Sequence, residues 1–348
     1  MTLQKQFEKF NTNIKMDYEE NSELASKRDI LVKKLRTNED LPSFTVINQG
    51  SYAMYTGVEP LDNKDYDIDV GLRFNVNKDD YKPLELKEKV YDILKDHTDY
   101  GAEIKQPCVT VTYKKNGDIG YHVDLVVYSY EDKNDTDSQL YLARGKSGSK
   151  PENKKWEEAD PMGLKSEIMD KFDDDGERAQ YRRVIRYLKR WKNKVFKSNG
   201  NSEPPGIGIT LLAYEVFEPK YIIKDIVSLS REYNDLDALI YLVQQIKNMF
   251  SYKTYSNGRL LYRIELNLPV TPKTDVFFKM TDIQMTDFKD KIEELLTNLE
   301  EVKNEVEIVE QCEKLKDIFG DDFEVPEKKD TAKKQNRMFA PNSSSGGR

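Results

Sequence analysis

The run Tyr66-Asp67-Ile68-Asp69-Val70-Gly71-Leu72 fixes a strand and the character of both its faces. Side chains alternate along an extended chain, so Asp67 and Asp69 share one face while Ile68, Val70 and Leu72 enter the opposite, apolar one. Two carboxylates held in this way repel by roughly 1 kcal/mol in water, and by more in a cleft of lower dielectric, so the pair asks for a cation. Asp124 lies in a second apolar strand pattern, Tyr121-His122-Val123-Asp124-Leu125-Val126-Val127, where an unpaired carboxylate is costly, and it is the natural third ligand. An all-oxygen donor set favours Mg²⁺ or Mn²⁺ over zinc. His122 is read as a structural or substrate-contacting residue, not as a ligand.

Upstream, residues 44–48 read as a short strand that ends in Gln49-Gly50-Ser51-Tyr52, followed by a helix opening at about Tyr52. A glycine there lets the backbone approach a phosphate, and the following amides and hydroxyl can donate to its oxygens. A Gly-Ser pair alone is usually only a turn. An Asp-x-Asp strand following it changes that reading.

Residues 4 to about 37 are helix-prone, either one long helix or a broken pair, with Phe7, Phe10, Ile14, Leu24, Ile30, Leu31 and Leu35 near helical spacing. Strands are expected over 67–74, 108–113 and 121–130, with a helix at about 83–97 and a turn at Asn116-Gly117-Asp118. Beyond Pro161 the pattern turns helical, over 162–171, 177–197, 208–217, 235–250 and 286–318. The last of these is an amphipathic stripe running from Phe288 through Val302, Val306 and Val309 to Phe319.

With 34% charged residues and a net charge of −8, the chain is not one that coats nucleic acid over its whole surface. Its two cysteines, Cys108 and Cys312, cannot make a disulfide framework or a Cys-based zinc site. No apolar run approaches the roughly 18 residues that span a bilayer, and Met1-Thr2-Leu3-Gln4-Lys5 lacks a signal peptide's apolar region, so a cytoplasmic protein is expected.

The Gly-Ser turn, the Asp-x-Asp strand and the third strand aspartate together resemble the DNA-polymerase-β-like nucleotidyltransferase superfamily. Four further features are similar to the cGAS/DncV-like nucleotidyltransferases (CD-NTases) of bacterial anti-phage (CBASS) signalling. They are Gln49-Gly50-Ser51-Tyr52 with Thr56, Trp156-Glu157-Glu158-Ala159-Asp160-Pro161, Leu188-Lys189-Arg190-Trp191-Lys192 and Ile318-Phe319-Gly320-Asp321-Asp322-Phe323. The resemblance spans residues 40–325. It implies an α+β fold of two lobes: a mixed-sheet catalytic lobe with a long N-terminal helix at 1–160, and a helical lobe closing the cleft at 161–325. A flexible tail follows at 326–348.

The resemblance also implies a cyclic oligonucleotide synthase that joins ribonucleoside triphosphates, ATP among them, and releases pyrophosphate at each bond. Asp67 and Asp69 would hold the metal on the triphosphate, and all three aspartates the second, with Asp124 nearest the attacking ribose hydroxyl. Gln49, Gly50 and Ser51 are the nucleotide-binding candidates of the turn, and Lys189 matches the family's triphosphate lysine by its place before Arg190-Trp191. Relatives often place a serine just before the helix that corresponds to Ile207–Phe217. Here the run is Pro204-Pro205-Gly206-Ile207-Gly208-Ile209-Thr210, with Thr210 a candidate substitute, so the bases stay open.

Arg178, Arg182, Arg183, Arg186, Lys189, Arg190, Lys192, Lys194 and Lys197 give one helix a basic circumference around a stripe of Val184, Ile185, Leu188, Trp191 and Val195. That helix could balance the acidic remainder or bind an activating nucleic acid, the less favoured reading. Gly145-Lys146-Ser147 lacks the upstream glycine of a Walker loop, and Asp173-Asp174-Asp175-Gly176 lacks an EF-hand's spaced ligands, so both are read as loops. In the tail, Gly346-Gly347 suits linker composition or attachment by a ubiquitin-like conjugating partner, and Met338-Phe339-Ala340-Pro341 would suit a HORMA-type partner. The family further implies an effector that senses the product. Two rival functions stay open: a template-independent transferase acting on RNA or protein, and a nonenzymatic nucleotide or RNA sensor.

Overall fold

The computed structural model describes residues 3–16, 22–61, 66–115, 118–196, 202–225, 230–256 and 258–327. The side chains of residues 22–24, 66, 67, 114, 115, 118 and 119 are outside that description. So are the tail from residue 328, with both of its motifs, the Asn116-Gly117 turn and Lys197.

Two helices begin the chain, α1 (Gln4–Ile14) and α2 (Ser22–Arg36). β1 (Phe44–Asn48) runs into the short α3 (Gly50–Ala53), and β2 (Tyr66–Asn77) carries the Asp-x-Asp pattern. After α4 (Pro83–Leu94) come β3 (Ala102–Ile104), β4 (Val109–Lys115), β5 (Asp118–Tyr130), β6 (Leu140–Ala143) and β7 (Trp156–Ala159). These strands form one seven-stranded sheet ordered β1-β2-β5-β4-β3, with β6 on β5 and β7 on β6. Only the β2–β5 pairing is parallel. The mixed sheet therefore has its two carboxylate strands side by side at its centre.

Alternation does the expected work. Ile68, Val70 and Leu72 of β2, with Val123, Leu125 and Val127 of β5, are buried against Leu31 and Leu35 of α2 and Leu86, Val90 and Leu94 of α4. Each such side chain contributes about 1.5–3 kcal/mol of hydrophobic stabilisation, and together they leave the opposite face free for polar chemistry.

The second lobe comprises α5 (Pro161–Met169), α6 (Asp175–Val195), α7 (Gly206–Val216), α8 (Asp235–Met249), α9 (Asp282–Asn304) and α10 (Ile308–Phe319). It also carries two hairpins, β8 (Tyr221–Asp225) with β9 (Ser230–Tyr233), and β10 (Ser251–Ser256) with β11 (Arg259–Arg263). Side-chain caps start several helices: Asp160, Asp174 and Asn234 accept backbone N–H groups at α5, α6 and α8, and Thr281 with Gln284 makes a capping box at α9. The acidic run at 173–175 is thus a helix entry.

Two findings differ from the sequence reading. The segment expected to be one helix over 286–318 breaks at residues 305–307, where Gln311 donates to the end carbonyls of Val302 (3.0 Å) and Glu305 (2.9 Å) and so satisfies them. Val306, counted in the apolar stripe, is 85% exposed. The N-terminal segment also divides between the cores. α2 packs under the sheet, whereas Phe7, Phe10 and Ile14 of α1 lie in the core of the helical lobe with Tyr187, Phe319 and Phe323, so a catalytic lobe of 1–160 does not hold α1 in its own core. Phe10 stacks on Tyr187 at 5.3 Å and meets Phe319 and Phe323 at 4.9 and 5.0 Å. Polar contacts follow, with Asn13 donating to the Asp322 carbonyl and Lys9 pairing with Glu324.

Candidate active site

Asp69 on β2 and Asp124 on β5 are register partners on adjacent parallel strands, and Asp67 is the partner of His122 two positions earlier. Adjacent strands lie about 4.8 Å apart, so the carboxylates of Asp69 and Asp124 start from neighbouring points on one face. Both are half-buried. Asp67 shares that face by strand alternation, although its side chain is among those not described.

The Gly-Ser turn closes directly on this face. Gln49 donates its backbone N–H to the Asp69 carbonyl at 3.1 Å, and Gly50 adopts φ +63°. A Cβ at Gly50 would sit 1.9 Å from Asp69 Oδ2, so both the backbone conformation and the space admit only glycine. The Gln49 amide donates to the Tyr128 hydroxyl at 2.7 Å, which braces the turn against β5. The turn thus seats Gln49 and Gly50 against β2, with Gln49 serving as the brace. Between the lobes, next to this turn, lies a cavity of about 230 Å³ walled by Gln49, Gly50, Tyr128, Arg144, Glu157 and Thr271.

Across the sheet, Thr110 on β4 is the register partner of Asp124 and donates its hydroxyl to Asp124 Oδ1 at 2.5 Å. Cys108 Sγ lies 3.6 Å from the same hydroxyl. Burial, with the Asp124 charge nearby, pushes the Cys108 thiol up to about 12, so it stays a protonated, unreactive group. His122 Nδ1 shares a 3.0 Å hydrogen bond with Thr112 Oγ1.

The donor set suits a hard divalent cation: carboxylate oxygens converge on one face, and both thiols of the chain are buried and free of disulfide bonds. Among residues with described side chains, no three His, Cys, Asp or Glu groups cluster closely enough to hold a metal; Asp67 supplies the third only from its strand position.

Residues 44–128 match the model of the DncV-like nucleotidyltransferase domain of cyclic GMP-AMP synthases. A cyclic GMP-AMP synthase of Escherichia albertii is 28% identical over 173 residues, which cover 47% of this chain. Over residues 44–128 the chain is similar to the cGAS/DncV-like nucleotidyltransferases. It spans 35% of the length of that curated relative. The fold is that of the Vibrio cholerae DncV cyclic AMP-GMP synthase, with a TM-score of 0.66 at 15% identity over 94% of this chain and 98% of that one. The Bradyrhizobium diazoefficiens CD-NTase CdnG, solved in complex with GTP, gives 0.67 at 12% identity over 92% and 96%.

In this DncV-like chain the two remaining nucleotide-binding candidates are turned inward. Lys189 is buried, and its ammonium donates to the carbonyl (3.1 Å) and hydroxyl (2.9 Å) of Thr56, just beyond α3. Burial, with Lys192 and Arg186 nearby, lowers Lys189 to about 7, against the opposing pull of Asp69. Thr210 is buried inside α7 and donates its hydroxyl to the Gly206 carbonyl at 3.1 Å, so that proton is not offered to a ligand.

The basic circumference of α6 is likewise spent internally. Arg183 pairs with Asp235, Arg190 with Asp322 and Lys192 with Glu203, while Arg186 donates to the Tyr55 carbonyl and to Asn11. This helix is the hub of the second lobe, not an exposed basic surface. Sequence reasoning passed over Thr110 and Tyr128; the β4 alternation, with Thr110 between Val109 and Val111, was the available signal for the first.

Proposed function

We propose that the chain joins ribonucleoside triphosphates into a cyclic di- or trinucleotide with release of pyrophosphate, and that this product is a second messenger in anti-phage defence. The observation that carries the reading is the direct opposition of Asp69 and Asp124 with Gly50 pressed against the Asp69 carboxylate. A pure binder gains nothing from repelling carboxylates held this close.

Asp67, Asp69 and Asp124 would hold Mg²⁺ or Mn²⁺. Such ions, when bound, supply charge neutralisation at phosphorus and lower the pKa of the attacking hydroxyl. The Gly50-Ser51 turn receives the triphosphate, and its tight seat on β2 sets the distance between phosphate and carboxylates. In each round a ribose hydroxyl oxygen bonds to the α-phosphorus, the bond from that phosphorus to the bridging oxygen breaks, and pyrophosphate leaves. Asp124 accepts the hydroxyl proton. Positioning and electrostatics carry the catalysis, with no covalent enzyme intermediate. Lys189 contributes by fixing Thr56 and hence the exit of α3.

The relative from Escherichia albertii and the Vibrio cholerae structure are both named for joining adenine and guanine nucleotides, so ATP and GTP are the first pair to supply. The test is incubation with four labelled ribonucleoside triphosphates and Mg²⁺ or Mn²⁺, then phosphatase treatment and mass analysis. A phosphatase-resistant cyclic product that Asp69→Asn abolishes supports the proposal. Label transferred to RNA or protein in added extract would replace it with the rival transferase reading.

A further inference from the structure

Thr110 lies 2% exposed on β4, directly opposite Asp124 on β5. Opposed residues on antiparallel strands bring their Cβ atoms to about 4.5–5.5 Å, close enough for a hydroxyl to reach a carboxylate. Its β-branched side chain has restricted χ1 freedom, so the hydroxyl is held in place by the backbone. That hydroxyl has one proton, and it goes to Asp124 Oδ1 over 2.5 Å. Its lone pairs are then left to accept from the Cys108 thiol at 3.6 Å. The contact is a charge-assisted O–H···O⁻ bond, the stronger class of hydrogen bond. Asp69 lies on the other side of Asp124, on β2.

We propose that Thr110 is the positioning residue of the site: its hydroxyl locks the Asp124 carboxylate in the single orientation needed to share a divalent cation with Asp69. The proposal rests on the nucleotidyl-transfer reading for its purpose, but its physical content is cation affinity, which can be measured without turnover. Residues that orient metal ligands typically carry about 10–100-fold in metal affinity or activity, and that is the effect expected here.

The experiment titrates Mn²⁺ by electron paramagnetic resonance, with a nonhydrolysable ATP analogue present, into wild type, Thr110→Val, Thr110→Ser and Thr112→Val. Valine preserves the shape and removes the hydroxyl, whereas serine keeps the hydroxyl and removes the methyl group. Thr112 makes the equivalent cross-strand contact to His122 two residues along and serves as the control. Thr110→Val should bind Mn²⁺ about 10–100-fold more weakly and lose kcat by a similar factor, with KM for nucleotide changed less than threefold. Thr110→Ser should recover to within about threefold of wild type, and Thr112→Val should bind Mn²⁺ like wild type.

Wild-type Mn²⁺ affinity in Thr110→Val would overturn the proposal, as would equal losses in the valine and serine variants or in Thr112→Val. Should Thr110→Val fail to fold, Thr110→Ala replaces it against the same serine comparison. A wild-type chain that binds Mn²⁺ but turns over no nucleotide refutes the functional reading while the affinity series still decides the role of Thr110. A wild-type chain that binds no Mn²⁺ refutes both.

Discussion

Asp235→Ala should cost the helical lobe a large part of its stability, because it empties the centre of a buried polar network. The Asp235 carboxylate is fully buried and accepts four hydrogen bonds: Arg183 Nε at 2.7 Å and Nη2 at 2.8 Å, Gln180 Nε2 at 3.1 Å and the Tyr187 hydroxyl at 2.9 Å. Its backbone N–H donates to Gln4 Oε1 at 2.9 Å, which ties α1, α6 and α8 together. Burial alone would lower the Arg183 guanidinium, but the hydrogen bonds and charge of Asp235 outweigh it and hold it above its ordinary value. Removing one partner of a buried ion pair costs about 3–5 kcal/mol, since the other charge is left unpaired in a dry site. The Arg183 side chain keeps 13% exposure and can turn partly toward water, which places the estimate at the lower end, about 3 kcal/mol. At roughly 2–4 °C per kcal/mol this is a fall in Tm of about 6–12 °C. Urea denaturation followed by circular dichroism would measure it, with Arg183→Met and the double variant completing a cycle. Because Arg183→Met removes the stranded charge, the double variant should be more stable than the sum of the single losses predicts, by at least about 1.5 kcal/mol. A loss under about 1 kcal/mol for Asp235→Ala, or strict additivity in the cycle, would refute the reasoning.

Asp69→Asn combined with Asp124→Asn should remove pyrophosphate release, by about 1,000-fold or more, while Tm stays level or rises as repulsion is relieved; a folded, active double variant would refute the site. Gly50→Ala places a Cβ 1.9 Å from Asp69 Oδ2 at φ +63°, so it should both destabilise the fold, by about 1–3 kcal/mol, and abolish activity, as read by denaturation and product assay. Lys189, lowered to about 7, and Lys87, lowered by burial to about 8, both bind fewer protons in the folded chain than in the unfolded one as pH rises from near 7 toward 10.5. The sign follows directly: stability increases with pH across that window. Lys189→Met should flatten the increase in Tm between pH 6.5 and 9, and an unchanged slope would count against the buried-ammonium account.

Wherever one face of an element is apolar and the other polar, the sequence was readable. β1 and the cores of β2, β5, α4 and α6 follow from alternation or helical spacing, and so does the face shared by Asp69 and Asp124. The hairpins were not legible, because β8 (Tyr-Ile-Ile-Lys-Asp) is exposed at every position and β10 nearly so, leaving no two-residue contrast to detect. The break at 305–307 has no glycine or proline to announce it and depends on Gln311 reaching back to two carbonyls. The basic helix stays open for a related reason: most of its partners, Asp235, Asp322 and Thr56 among them, are remote in sequence, and only packing reveals that the charges are already matched. Motif position singles out Lys189 and Thr210, but it does not tell whether a side chain points to a cleft or to a carbonyl.

The aromatic cluster that joins Phe7 and Phe10 to Phe319 and Phe323 bears on how the polypeptide is made. Phe7 and Phe10 meet Tyr187 as well, but Phe319 and Phe323 lie more than 300 residues further along the chain, so a ribosome adds the last rings of the cluster long after the first. The seven-stranded sheet ends at Ala159 and can close while the remainder is still being synthesised. At roughly 5–20 residues per second, the part of the α1 face that meets Phe319 and Phe323 waits about 15–65 seconds for them. Closure of the α1 face against Phe319 and Phe323 is therefore a late step in making the fold.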